Sequence, residues 1–102
     1  MAYERLVRKI TKENLWLYVI NVLKDTPLYG YAVKKAIRDK FKFSPSTVTV
    51  YAVLYRMVHE GLIEKEVRDD TTYYRPTEKG MEVFRRAKDF FESLYRSLFE
   101  GL

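Results

Sequence analysis

The chain contains no cysteine, which excludes disulfides, thiolate nucleophiles and thiolate metal ligands. Glutamine is also absent, asparagine occurs only at Asn14 and Asn21, and His59 is the single histidine. A metal site needs more than one such ligand, and the chain offers a single histidine. His59 stands at the end of a helical pattern beside Glu60, where a helix dipole favours a cation. With four glycines and three prolines there is no glycine-rich phosphate loop and no low-complexity linker. No Ser/His/Asp set is present, and the adjacent Asp69 and Asp70 suit a hairpin turn better than acid–base chemistry. Catalysis, a bound metal and a cofactor are therefore not expected. No apolar run approaches the roughly 20 residues of a membrane span and no secretory signal opens the chain, so a cytoplasmic location is the expectation. The lack of glutamine together with 32% charged residues fits a thermophilic composition.

The remaining composition is rich. Of 102 residues, 47% are hydrophobic and 16% aromatic, more apolar surface than one small domain needs for its own core. Part of it is expected to serve a second copy of the chain. The net charge of +5 suits a polyanionic partner. The excess is local: residues 29–75 carry nine Lys/Arg against six Asp/Glu, whereas residues 76–102 balance at five each.

Hydrophobic periodicity divides the chain into helices and a hairpin. A broad helical region runs from about Tyr3 to Lys24, with a break expected near Thr11, a residue type suited to capping a helix start. Asp25-Thr26-Pro27 ends it. A second helix covers about Tyr29 to Phe41, with Val33, Ala36, Ile37 and Phe41 inward. A third starts at Ser44-Pro45-Ser46-Thr47, with Ser46 as N-cap or Pro45 as first helical residue, and ends at Glu60-Gly61. Its inward stripe is Val50, Val53, Leu54, Met57 and Val58, and its outward face holds no acid before Glu60. Leu62–Val67 and Thr72–Arg75 read as two strands around a turn at Arg68–Thr71. Thr77 caps a last helix to about Glu100, roughly 36 Å long. The predicted class is mainly α with a small β-hairpin: a winged helix-turn-helix over residues 1–76 and a C-terminal dimerisation helix over 77–102.

Within this pattern stand the motifs Leu28-Tyr29-Gly30-Tyr31, Tyr51-Ala52-Val53-Leu54-Tyr55-Arg56-Met57, Glu60-Gly61-Leu62-Ile63, Tyr74-Arg75 and Thr77-Glu78-Lys79-Gly80. Together they resemble the PadR family of transcriptional regulators. The resemblance spans roughly residues 13–82, and the single C-terminal helix is similar to the family's shorter class. It implies a homodimeric repressor on a pseudo-palindromic duplex, with Tyr51 on the DNA-facing helix. It also leaves room for a planar aromatic effector held between subunits, for which Trp16, Phe90, Phe91, Tyr95 and Phe99 are the candidate lining.

The residues expected to meet double-stranded DNA are Tyr31, Lys34, Lys35 and Arg38 on the second helix, and Ser46, Thr47, Thr49, Tyr51, Ala52, Tyr55 and Arg56 on the third. Thr47 and Thr49 lie where helix-turn-helix proteins usually read base edges, and Arg56 sits deeper, at a phosphate position. Tyr51 and Tyr55 either donate to phosphates or pack on the wing. Phosphates repel the acidic hairpin tip, so Lys65, Arg68 and Arg75 on the strands are expected to make the wing's contacts. In the last helix Phe84, Ala87, Phe91, Leu94 and Leu98 form a heptad-like apolar seam for the dimer, widened by Tyr95, and the apolar cluster of Leu6, Val7 and Ile10 near the N-terminus is the expected second dimer contact. The competing readings are a winged-helix protein-interaction module and a sensor of planar aromatic compounds.

Overall fold

The computed structural model describes all residues 1–102. Its elements run α1 (Ala2–Ile10), α2 (Leu15–Leu23), β1 (Leu28–Tyr29), α3 (Gly30–Phe41), α4 (Thr47–His59), β2 (Ile63–Arg68), β3 (Thr71–Pro76) and α5 (Glu78–Phe99). The N-terminal helical region breaks at Thr11, but Thr11 does not cap a new helix. Its hydroxyl donates back to the Val7 carbonyl at 2.7 Å and closes α1. Residues Lys12–Asn14 then form one 3-10 turn before α2 begins.

The core is the meeting of α2, α3 and α4 over the start of β2. Leu15, Val19, Ile20 and Leu23 from α2 meet Val33 and Ile37 from α3, Val50, Leu54 and Met57 from α4, and Leu62 and Ile63. Val53, Val58 and Phe41 pack around this cluster, half-buried. Ser46 is the N-cap of α4: its Oγ accepts the Thr49 N–H at 3.1 Å, and Pro45 is buried just before it. The helix ends in a Schellman motif, with Gly61 N–H donating to the Val58 carbonyl and Leu62 N–H to the Met57 carbonyl. Gly61 adopts φ 77°, the left-handed conformation that position requires.

The wing is a three-stranded sheet rather than the expected two-stranded hairpin. β1 pairs antiparallel with β3 through Leu28↔Tyr74 and Tyr29↔Tyr73, so Tyr29 belongs to a strand and not to the first turn of α3. The hairpin turn is also tighter than expected. Pairing continues to Arg68↔Thr71, leaving Asp69 and Asp70 alone in the loop, at φ 49° and 65°. Positive φ at both central residues is the primed geometry that matches strand twist, and Asp tolerates it.

α5 is anchored at one end only. The Thr77 side chain accepts the Gly80 N–H, and the Thr77 N–H donates to the Leu62 carbonyl at 3.1 Å. Met81, Val83 and Phe84 pack against the core, Ala87 is half-buried, and every residue from Lys88 onward is exposed. α1 buries no residue either. The molecule is accordingly elongated, 54 × 29 × 21 Å. No helix is long and apolar enough to cross a membrane.

Candidate nucleic-acid interface

α4 buries one stripe and presents the rest. Opposite the stripe of Val50, Leu54 and Met57, the exposed surface runs through Thr47, Val48, Thr49, Tyr51, Ala52, Tyr55, Arg56 and His59. No carboxylate interrupts it until Glu60, so nothing on this face repels a polyanion. Its N-terminal end is tied to α3: Lys34 Nζ donates to Thr47 Oγ1 at 3.0 Å, and Ser46 Oγ donates to Thr49 Oγ1 at 2.8 Å. These bonds fix the rotamers of the hydroxyls nearest the helix start.

The helical repeat splits this face into two flanks. On one, Tyr51, Tyr55, Val58 and His59 meet Lys65 and Tyr74 of the wing around a depression of about 300 Å³. Tyr51 is the packed tyrosine and Tyr55 the open one, 45% and 77% exposed. A Cβ on Gly30 would stand 2.5 Å from the Tyr51 ring, so the phenol lies directly over the N-terminus of α3. Partial burial, and to a lesser extent the neighbouring Tyr51, raises the pKa of the Tyr74 phenol. Tyr74 therefore remains a neutral hydroxyl donor across the physiological range. The other flank carries Thr49 and Arg56 and faces the Lys12 turn and Trp16.

On α3 the exposed residues Tyr31, Lys35 and Arg38 recur at i, i+4 and i+7 and form one stripe, and Lys34 leans aside toward α4. Arg38 shares its charge with Asp39 at 3.3 Å.

The wing does not bring Lys65, Arg68 and Arg75 together. Strand alternation puts Lys65 with Ile63 and Tyr74 on the face toward α4. Arg75 lies opposite Glu64 on the other face and pairs with it at 2.8 Å, and with Glu66 at 3.8 Å. Arg68 pairs with Glu66 and stands over the Tyr73 ring, 5.0 Å from its centroid. Of the three wing cations, Lys65 alone makes no ion pair and borders the α4 surface.

The candidate aromatic-effector residues also separate. Trp16 lies on the α4 flank with Thr49 and Val53. The α5 aromatics are elsewhere: Phe91 borders a groove with Leu17, Tyr18 and Phe84, and the Tyr95 and Phe99 rings meet at a tilt of 54°, their centroids 5.4 Å apart. Trp16 and the α5 aromatics border different depressions. Consecutive residues of a helix point about 100° apart, so Trp16 and Leu17 face different neighbours.

A helix pair that presents its second helix beside an antiparallel wing defines the winged helix-turn-helix class. A transcriptional regulator from Clostridium thermocellum is similar in structure, with a TM-score of 0.81 at 20% identity, over 92% of this chain and 95% of that one. A PadR-like transcriptional regulator from Bacillus cereus matches with a TM-score of 0.67 at 26% identity, covering 89% and 96%. F93 from STIV, a winged-helix DNA-binding protein, matches with a TM-score of 0.71 at 20% identity, covering 82% and 92%. No curated protein matches the chain in sequence. Residues 19–86 match the transcriptional regulator PadR-like family, and the chain belongs to that family of regulators, which are not enzymes.

Proposed function

We propose that this protein is a homodimeric regulator, acting as a repressor, that binds a pseudo-palindromic duplex with α4 in the major groove. The observation that carries the reading is the acid-free exposed face of α4, framed by Lys34 on one element and Lys65 on another. A major groove about 12 Å wide accepts a helix and distinguishes all four base pairs there. Thr47 and Ala52 stand where base edges would lie, and Thr49 stands on the flank of α4 away from the wing. Tyr51, Tyr55, Arg56, Lys65 and the α3 stripe of Tyr31, Lys35 and Arg38 stand toward the phosphates. The apolar faces of α1 and α5, which have no partner within the chain, support pairing of two copies, with recognition helices about one DNA turn apart. Replacing Tyr51 and Arg56 together by alanine should lower duplex affinity by about two orders of magnitude while leaving the dimer intact. Fluorescence anisotropy on the duplex and sedimentation velocity measure the two. Unchanged affinity would remove α4 from the interface.

Gly30 enters the same reading as a residue that positions Tyr51. In Gly30→Ala the new methyl occupies the space of the Tyr51 ring, which must swing outward. The ring is a mobile end and alanine is the better helix former, so the melting temperature should change little. Duplex affinity should fall roughly tenfold, about 1.4 kcal/mol. An affinity equal to that of the unsubstituted protein would show that the phenol's seat over α3 is irrelevant to binding.

The acidic hairpin tip and the Glu-held arginines favour the second reading, a protein-interaction wing. Generic duplex at low salt separates the two: the regulator binds it, the interaction module does not.

A further inference from the structure

A helix seated in a major groove meets a phosphate ridge on each flank, because its diameter with side chains nearly fills the groove. The wing serves one flank of α4. The opposite flank opens on a depression of about 570 Å³ whose lining includes Lys12, Trp16, Thr49 and Arg56 together with the carboxylates of Glu13 and Glu60.

The charges around this depression are sorted in an informative way. Glu13 is occupied: Lys9 donates to it at 2.9 Å and Arg8 at 3.2 Å. The hydrogen bond from Lys9, ahead of that from Arg8, holds the Glu13 carboxyl below its ordinary range. Arg8 and Lys9 are consumed in neutralising it. Lys12 and Arg56 are left over, since none of the nine ion pairs includes either. Glu60, one turn beyond Arg56, makes no ion pair either, so the two free cations face one uncompensated carboxylate and leave a net positive charge. Trp16 adds a directed donor. Its ring packs against the core, yet the indole N–H has no acceptor within the chain and is not among the buried unsatisfied atoms, of which there are none, so it opens to the surface. Thr49 supplies a hydroxyl from α4. Two uncommitted cations, one indole side chain and one hydroxyl-bearing side chain from three separate elements thus line the flank that a helix in the groove turns toward the far strand.

We infer that Lys12, Trp16, Thr49 and Arg56 form a seat for a backbone phosphate of duplex DNA, on the side of α4 away from the wing. The inference rests on the duplex-binding reading and adds Lys12 and Trp16 to it. Lys12 supplies charge, and the Trp16 N–H fixes the phosphate oxygen's position at the first turn of α2. The contact carries no base preference, so it should act alike on every sequence.

The test uses generic duplex and the whole protein. Each neutralised phosphate contributes about 0.9 to the slope of log K against log salt, so Lys12→Ala should flatten the slope by about 1.8 for a dimer. Trp16→Phe keeps the ring and deletes the N–H; affinity should drop roughly 3- to 10-fold with the melting temperature kept. Lys24→Ala, at the far end of α2 and paired with Asp25 at 3.0 Å, should leave slope and affinity unchanged. Trp16 is the only tryptophan, so its emission reports on this seat alone. It should shift saturably with duplex and recover at high salt. If the unsubstituted protein binds but Lys12→Ala shares its slope, or the Trp16 emission does not respond, the phosphate seat is overturned. If the unsubstituted protein fails to bind generic duplex at low salt, the duplex reading itself falls, and this seat with it.

Discussion

Substituting Phe91 and Leu98 together by aspartate should convert the protein to a monomer and lower its affinity for a palindromic duplex by about 10²–10⁴-fold, the gain that linking two binding modules provides. The expectation comes from how α5 divides. Phe84 packs on its own core and Ala87 is half-buried, so the first part of the apolar seam is used within the chain. Phe91, at the edge of the body beside Leu17 and Tyr18, and Leu94 and Leu98 beyond it continue the seam, flanked by the exposed Phe90, Tyr95 and Phe99. On α1, Tyr3, Leu6, Val7 and Ile10 are likewise exposed, and that helix buries nothing. Covering the exposed remainder of each such side chain is worth about 1 kcal/mol. An aspartate removes that gain and adds a charge whose desolvation costs several kcal/mol. The winged-helix core lies at the other end of α5, so circular dichroism should show its fold retained. Sedimentation velocity reads the mass, and anisotropy on the palindrome reads the affinity. A dimer that survives both aspartates would show that α5 is not the clasp. A monomer that keeps full affinity would show that pairing is not needed for binding.

How much can be read from the residues alone depends on the range of the interaction concerned. The caps at Ser46 and Thr77 are bonds between residues three apart, and both form as expected. The α4 stripe of Val50, Leu54 and Met57 is a periodicity of the same short range, and it is buried throughout. β1 gives no signal in the sequence because two residues have no period; it exists only by pairing with β3, more than forty residues away in sequence. The relative openness of Tyr51 and Tyr55 is equally invisible there. It depends on Gly30 leaving room for one ring, a contact between two helices. The wing arginines look available in sequence because Glu64 and Arg75 are eleven residues apart, and register alone sets them opposite each other. Trp16 looks like one more aromatic for a ligand pocket until packing fixes the face of α2 on which it lies. The resemblance to a family locates the recognition helix. It does not tell which of the surrounding cations are already spent on carboxylates.

Gly80 gives the sharpest stability test, because its lack of a side chain is demanded by backbone and not by a mobile ring. A Cβ there would lie 1.9 Å from the Leu62 carbonyl oxygen and 2.9 Å from its carbon. That carbonyl is held in place: it accepts the Thr77 N–H, and Leu62 itself closes the Schellman motif at the end of α4. The clash cannot be relieved by a rotamer change. Either α5 lifts off, stretching the Thr77 contacts to Gly61 and Leu62, or the α4–β2 corner moves and disturbs Leu62 and Ile63 in the core. Gly80→Ala should therefore cost about 3 kcal/mol or more, despite alanine's advantage in a helix. For a domain of this size that is a fall of roughly 12 °C or more in melting temperature. Lys79→Ala, one residue earlier, loses only an exposed bond from Lys79 to the Glu60 carbonyl and should cost under about 1 kcal/mol. The same contact sets the direction in which α5 leaves the body, and with it the placement of two recognition helices in a dimer. Where α5 tilts to make room, half-site spacing changes, so Gly80→Ala protein that is still folded at 20 °C should lose more affinity for a palindrome than for a single half-site. Equal losses on the two duplexes would separate α5's anchor from the spacing of the reading heads, and an unchanged melting curve would refute the close approach itself.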